Sequence, residues 1–174
     1  MKVYLDTIGC RLNQAEIEQF ARQFRSAGHS LASCLEEADL VVVNTCAVTT
    51  AAASDSRQKI RQAHRAGVDQ IVVTGCWATL KPEQAAALPG VRRVTLNAEK
   101  DRLVSDLLQI APEKFELEPV EREPLPGARL RTRAFIKVQD GCNNRCTFCV
   151  TTLARGEGRS ISIEQVLDQI QAAI

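Results

Sequence analysis

Several things are scarce in this sequence, and each scarcity excludes a class. No apolar stretch approaches the ~18 residues of a membrane span; the longest, Leu40–Val43 and Ile71–Val73, have the length of strands. The N-terminus, Met1-Lys2-Val3-Tyr4-Leu5-Asp6, lacks the apolar core of a secretory signal. On these two readings the chain is expected to be cytoplasmic, with no membrane partner. Net charge is nearly absent: 22 basic against 21 acidic residues leave +1, so there is no global attraction to nucleic acid. No serine or thiol triad, phosphate-cradling glycine loop, fixed-period repeat or low-complexity segment is present. With 45% hydrophobic and 25% charged residues in 174, disorder and fibrous classes are excluded.

What is abundant is cysteine, seven in all. An odd count without a secretory signal argues against a disulfide framework, because cytosolic thiols stay reduced. Metal-binding or catalytic roles lead.

Residues 1–110 alternate strand and helix. Val3–Ile8 reads as a strand ending at Gly9, and Ile17, Phe20, Ala21 and Phe24 lie on one helical face that closes near Gly28. Leu40–Val43 is a continuous run typical of a strand buried on both faces. Thr49 or Thr50 is a candidate cap for the next helix, which ends near Gly67. Ile71–Thr74 is a third strand, Pro82 suits the first turn of a short helix, and Val91–Leu96 is a fourth, weaker strand. Asn97 is placed to cap a helix carrying Leu103, Val104, Leu107 and Leu108. This order predicts an α/β domain with a parallel sheet over 1–110.

Residues 111–132 interrupt the rhythm with Pro112, Pro119, Pro124 and Pro126 and read as a linker. Charge is uneven here. Over 113–123, five glutamates face one lysine and one arginine, a net −3; over 127–160, six arginines and one lysine face two acids, a net +5. Ala134–Gln139 then reads as a strand, and Val166, Leu167 and Ile170 mark a helix from about Ile163 to Ala173. Residues 133–174 therefore form one βα unit of a second domain.

Six cysteines fall into two sets. Cys142, Cys146 and Cys149 have the spacing Cys-x3-Cys-x2-Cys, which lets three thiolates converge on one iron–sulfur cube and leaves one iron open. A zinc site would want a fourth ligand, and none lies nearby. Cys10, Cys46 and Cys76 are dispersed, but each follows a predicted strand within about three residues. The carboxyl ends of parallel strands share one edge, where ligands bind and helix N-termini favour anions. The alternative is that all three are small buried apolar residues. Cys34, in a loop-like stretch, reads as a free thiol, and His29 and His64 as surface residues. Trp77 either packs or shields a site at Cys76.

The compact set, directly after a strand, resembles the radical S-adenosylmethionine superfamily, with Phe148 at its aromatic position. The two sets together resemble the radical methylthiotransferases. The resemblance runs through Thr7-Ile8-Gly9-Cys10-Arg11-Leu12-Asn13-Gln14, Val43-Asn44-Thr45-Cys46-Ala47-Val48-Thr49, Ser56-Arg57-Gln58, Val73-Thr74-Gly75-Cys76 and Phe135–Cys142. The first two segments are most similar to the branch that acts on threonylcarbamoyladenosine in tRNA. The resemblance implies two [4Fe-4S] clusters, an auxiliary one on Cys10, Cys46 and Cys76 and a radical-generating one on Cys142, Cys146 and Cys149. It implies S-adenosyl-L-methionine as cofactor, contacted near Phe148, with its amino and carboxylate groups on the open iron. It also implies methylthiolation at C2 of the modified adenosine at position 37 of tRNA, with electrons from a donor such as flavodoxin or ferredoxin. Arg155-Gly156 and Arg159-Ser160 match an arginine-bearing stretch of the family, and solvated arginines are the plain alternative there.

A full barrel of βα units takes ~200–250 residues, whereas Arg133 to Ile174 is 42. On that count the chain is expected to be an N-terminal part of such an enzyme with an incomplete radical domain, inactive as 174 residues alone. The rivals are a methylthiotransferase for a ribosomal protein or for isopentenyladenosine, and a non-catalytic iron–sulfur-binding module.

Overall fold

The structure is a computed structural model that describes residues 1–115, 135–144 and 146–171. Five strands, β1 (Lys2–Thr7), β2 (Ser30–Leu31), β3 (Leu40–Thr45), β4 (Ile71–Gly75) and β5 (Val91–Thr95), form one parallel sheet in the order β2-β1-β3-β4-β5. The helices between them are α1 (Arg11–Ser26), α2 (Thr50–Arg65), α3 (Cys76–Leu80), α4 (Pro82–Ala86) and α5 (Leu103–Leu108). The expected α/β class is what the chain adopts.

The sequence of β3 explains why it lies centrally. Its side chains alternate between faces, and both faces are buried. Val41 and Val43 join Ile60, Ala63, Ile71, Val73 and Trp77 on the α2–α3 side. Leu40 and Val42 join Ile17, Phe20, Phe24, Leu103 and Val104 on the α1–α5 side. The cap of α2 is Thr49, whose hydroxyl accepts from the Ala52 amide at 3.0 Å. Pro82 occupies the first turn of α4.

Strand order places the topological switch. From β1 the chain crosses to β2 on one side, then returns to β3 on the other, so β1 and β3 flank the crevice that such sheets use for ligands. A cavity of about 370 Å³ opens between the carboxyl end of β1 and α2, lined by Thr7, Ile8, Gly9, Asp55, Gln58, Lys59 and Gln62.

Two expectations need correction, and one strand was not foreseen: β2, two residues long, has too little sequence to show a period. Asn97 does not cap a helix; a 3-10 turn at Lys100–Arg102 precedes α5, and the Asn97 side chain is buried elsewhere. Of the strand expected over Ala134–Gln139, Ala134 lies outside the described residues, and the rest is reduced to β6 (Gln139–Asp140), which pairs antiparallel with β7 (Arg159–Ser160). Between them lies α6 (Val150–Arg155), and after them α7 (Ile163–Gln171). Most of the expected linker lies outside the described residues; its first part ends in a 3-10 turn at Pro112–Phe115.

Candidate functional site

β1, β3 and β4 are adjacent and in register, with Thr7 opposite Asn44, Asn44 opposite Thr74, and Thr45 opposite Gly75. Their carboxyl ends therefore deliver Cys10, Cys46 and Cys76 to one edge, as the sequence implied. Cys10 is the N-cap residue of α1 and is exposed. Cys46 and Cys76 are buried.

Local geometry fixes each cysteine. A Cβ at Gly9, whose φ is +106°, would stand 2.5 Å from the Cys46 Sγ, so only glycine lets the chain before Cys10 pass so close to Cys46. The Cys46 amide donates to the Ser56 hydroxyl at 3.1 Å, and that hydroxyl donates to the Ala52 carbonyl at 2.7 Å. Gly75, at φ +97°, has the Thr45 backbone where a Cβ would go, which turns the chain tightly into Cys76. The Cys76 Sγ receives the Asn97 amide at 3.8 Å. Trp77 packs into the core, with the Arg57 guanidinium 5.8 Å from its ring centre.

The second set occupies the turn between β6 and α6. The Cys149 amide donates to the Cys146 carbonyl, and the Cys142 amide to the Gly156 carbonyl, both at 3.1 Å. Hydrogen bonds from Thr151 and Thr152 hold the Cys149 thiol below its usual pKa, which favours a thiolate. Phe148 is 92% exposed. Arg145 lies outside the described residues.

Sequence reasoning missed a charged network behind the sheet edge. Arg155 has a side chain only 3% exposed, so it is not one of the solvated arginines. Its Nη1 donates to Glu16 Oε1 and to Asp140 Oδ1, each at 2.8 Å. Its Nη2 donates to Asn13 Oδ1 at 2.7 Å. Glu16 also receives Lys100 at 2.8 Å and the Asn44 amide at 3.1 Å. Lys137 completes the set through Asp101 at 2.9 Å and Asp140 at 3.0 Å. Burial raises the Glu16 carboxyl, but Lys100 and Arg155 override it and hold it down to about 2. Asp140, likewise opposed by burial, is held to about 2 by Arg155 and Lys137. Burial pushes the Lys100 ammonium down, against the pull of Glu16. One signal was legible: Asn13 and Glu16 prolong the apolar stripe of α1, where a carboxylate must be paired.

Among the described residues all seven cysteines are free thiols, and no three His, Cys, Asp or Glu side chains converge tightly enough for a single metal ion. A cube with iron at its corners holds its thiolates farther apart than one ion does. Three soft donors on adjacent strand ends, one of them receiving an N–H···S bond, suit such a group in chemical type.

Known proteins resemble this chain along nearly its whole length. It is 38% identical over 182 residues to the threonylcarbamoyladenosine tRNA methylthiotransferase MtaB of Aquifex aeolicus, which aligns with 98% of this chain and 44% of the relative. Identity to MtaB of Bacillus subtilis is 36%, over 99% of this chain and 40% of the relative. Identity to the ribosomal protein uS12 methylthiotransferase RimO of Pseudomonas fluorescens is 30%, over 99% and 39%. The chain thus spans about two-fifths of the length of these curated relatives. A family model described as uncharacterized protein family UPF0004 matches residues 2–96, the segment that holds Cys10, Cys46 and Cys76, and the chain belongs to that family.

Proposed function

We propose that this chain is the part of a cytoplasmic tRNA methylthiotransferase that supplies thiolates for two iron–sulfur clusters, with threonylcarbamoyladenosine at position 37 as the substrate. The observation that carries this reading is the delivery of Cys10, Cys46 and Cys76 to one edge by three adjacent parallel strands, with a second cysteine loop packed beside it through α3 and α6. On this reading, residues 1–110 form the auxiliary-cluster domain, 111–132 a linker, and 133–174 the start of the radical S-adenosylmethionine domain. When bound, the clusters and S-adenosylmethionine supply the radical, the sulfur and the methyl group, with electrons from a flavodoxin- or ferredoxin-like donor. This chain's own residues do three things. Cys142, Cys146 and Cys149 would hold one cluster, Phe148 on the same loop would contact S-adenosylmethionine, and Cys10, Cys46 and Cys76 would hold the other.

Iron content after anaerobic reconstitution tests the assignment. Cys46→Ser is expected to lower iron per chain, because a hydroxyl ionises too weakly to replace a thiolate, whereas Cys34→Ser leaves it unchanged. The triple alanine variant of Cys142, Cys146 and Cys149 should retain about half. Equal loss from Cys34→Ser and Cys46→Ser would refute the three-plus-three grouping. RimO relatives at 30% identity favour a second reading, a ribosomal-protein substrate. Incubating tRNA and ribosomal protein uS12 in parallel with full-length enzyme carrying these residues separates the two.

A further inference from the structure

The helix that follows the second cysteine loop touches the first cysteine set through two asparagines. Asn97 is buried, and its Nδ2 donates both to the Cys76 Sγ at 3.8 Å and to the Ala154 carbonyl at 2.7 Å. Asn13 is buried too. Its Oδ1 accepts from the Arg155 Nη2 at 2.7 Å and from the Cys10 thiol at 3.7 Å. Its Nδ2 donates to the carbonyls of Ile8 at 2.7 Å and Thr45 at 3.1 Å, which fixes the amide's orientation and ties it to the ends of β1 and β3. Two consecutive residues of α6, Ala154 and Arg155, therefore each reach a cysteine of the other set through one side chain. The Arg155 fork is seated between Glu16 of α1 and Asp140 of β6. Such bidentate, charge-assisted contacts fix orientation as well as supplying energy.

We propose that Asn97 and Arg155 are positioning residues that latch α6 onto the sheet edge, close it over Cys76, and so hold the second cysteine loop in a fixed place against the first. This rests on the two-cluster reading for its purpose, but the latch is built entirely of side chains that need no iron to meet. Asn97 serves as the near end because its one amide bonds both the Cys76 Sγ and the Ala154 carbonyl of α6. Arg155 serves as the far end because a lysine there could keep the charge but not the fork to Glu16, Asp140 and Asn13 at once.

Site-resolved alkylation of the reduced, iron-free chain tests this without reference to activity. Cys76 and Cys46 are both buried, but only Cys76 is predicted to be covered by the latch. In Asn97→Ala and in Arg155→Lys, iodoacetamide should label Cys76 roughly tenfold faster than in the unmodified chain, while Cys46, held by Gly9 and Ser56, stays protected. Hydrogen exchange over residues 150–156 should quicken in the same two variants, with the amides of β3 and β4 unchanged. The two substitutions lie on opposite sides of the contact, so if one variant fails to fold the other still decides. An unchanged Cys76 rate would overturn the latch. Parallel gains at Cys76 and Cys46 would overturn it as well, since that pattern is general loosening. Failure of the functional reading shows separately, as absence of iron from the unmodified chain after reconstitution.

Discussion

Glu16 is the residue on which the buried network turns. Its carboxyl is held at about 2 against an ordinary 4.5, and that of Asp140 at about 2 against 3.8. A depressed folded-state value means that the folded form binds the proton less readily than the unfolded form. The stabilisation is therefore complete above the ordinary values and is lost as pH falls from them toward 2. Denaturant midpoints should thus hold near neutrality and drop between about pH 5 and pH 2.5. Glu16→Gln should flatten that acid limb. At neutral pH it should also destabilise by roughly 3–5 kcal/mol, because Lys100 stays buried without its carboxylate partner. Matching midpoints for variant and unmodified chain at both pH extremes would show that the network carries no such weight.

The seating of Cys46 depends on an entire helix. Ser56 sits in the second turn of α2, and its hydroxyl is the partner of the buried Cys46 amide. Ser56→Ala leaves that amide unpaired, at a cost of about 1–3 kcal/mol, and should lower both the melting temperature and the iron retained. A variant with an unaltered melt and full iron would exclude this role. Elements of this kind were legible where a local pattern encodes them: the β-branched run of β3, the Thr49 cap, Pro82 and the stripe of α1 all fall as the sequence implies. The strand ends, and hence the edge shared by three cysteines, follow from them. Arg155 was not legible, since its partner Glu16 lies 139 residues earlier and neither neighbourhood has a period that points to the other. β6 misled for a related reason: Phe135–Val138 looks like a strand locally, but Lys137 is drawn into the charged network, and among the described residues the ladder with β7 is confined to Gln139 and Asp140.

At the scale of the molecule, exposed apolar side chains are distributed unevenly. Residues 1–115 expose only Met1 and Val48 among large hydrophobics, whereas the described residues from 135 on expose Val138, Phe148, Leu153, Ile163, Leu167 and Ile170. The pattern that reads as an amphipathic helix in the sequence does form α7, yet α7 buries none of its residues, with Ile163 78% and Leu167 57% exposed. An apolar face uncovered by the described residues costs nothing to charge but favours contact with other molecules. Leu167→Glu should leave the melting transition within about 0.5 kcal/mol of the unmodified chain, while sedimentation at rising concentration shows less self-association. A loss of stability as large as that of a buried leucine, ~2–5 kcal/mol, would mean instead that α7 packs against the rest of this chain, and that its apolar face contributes to folding.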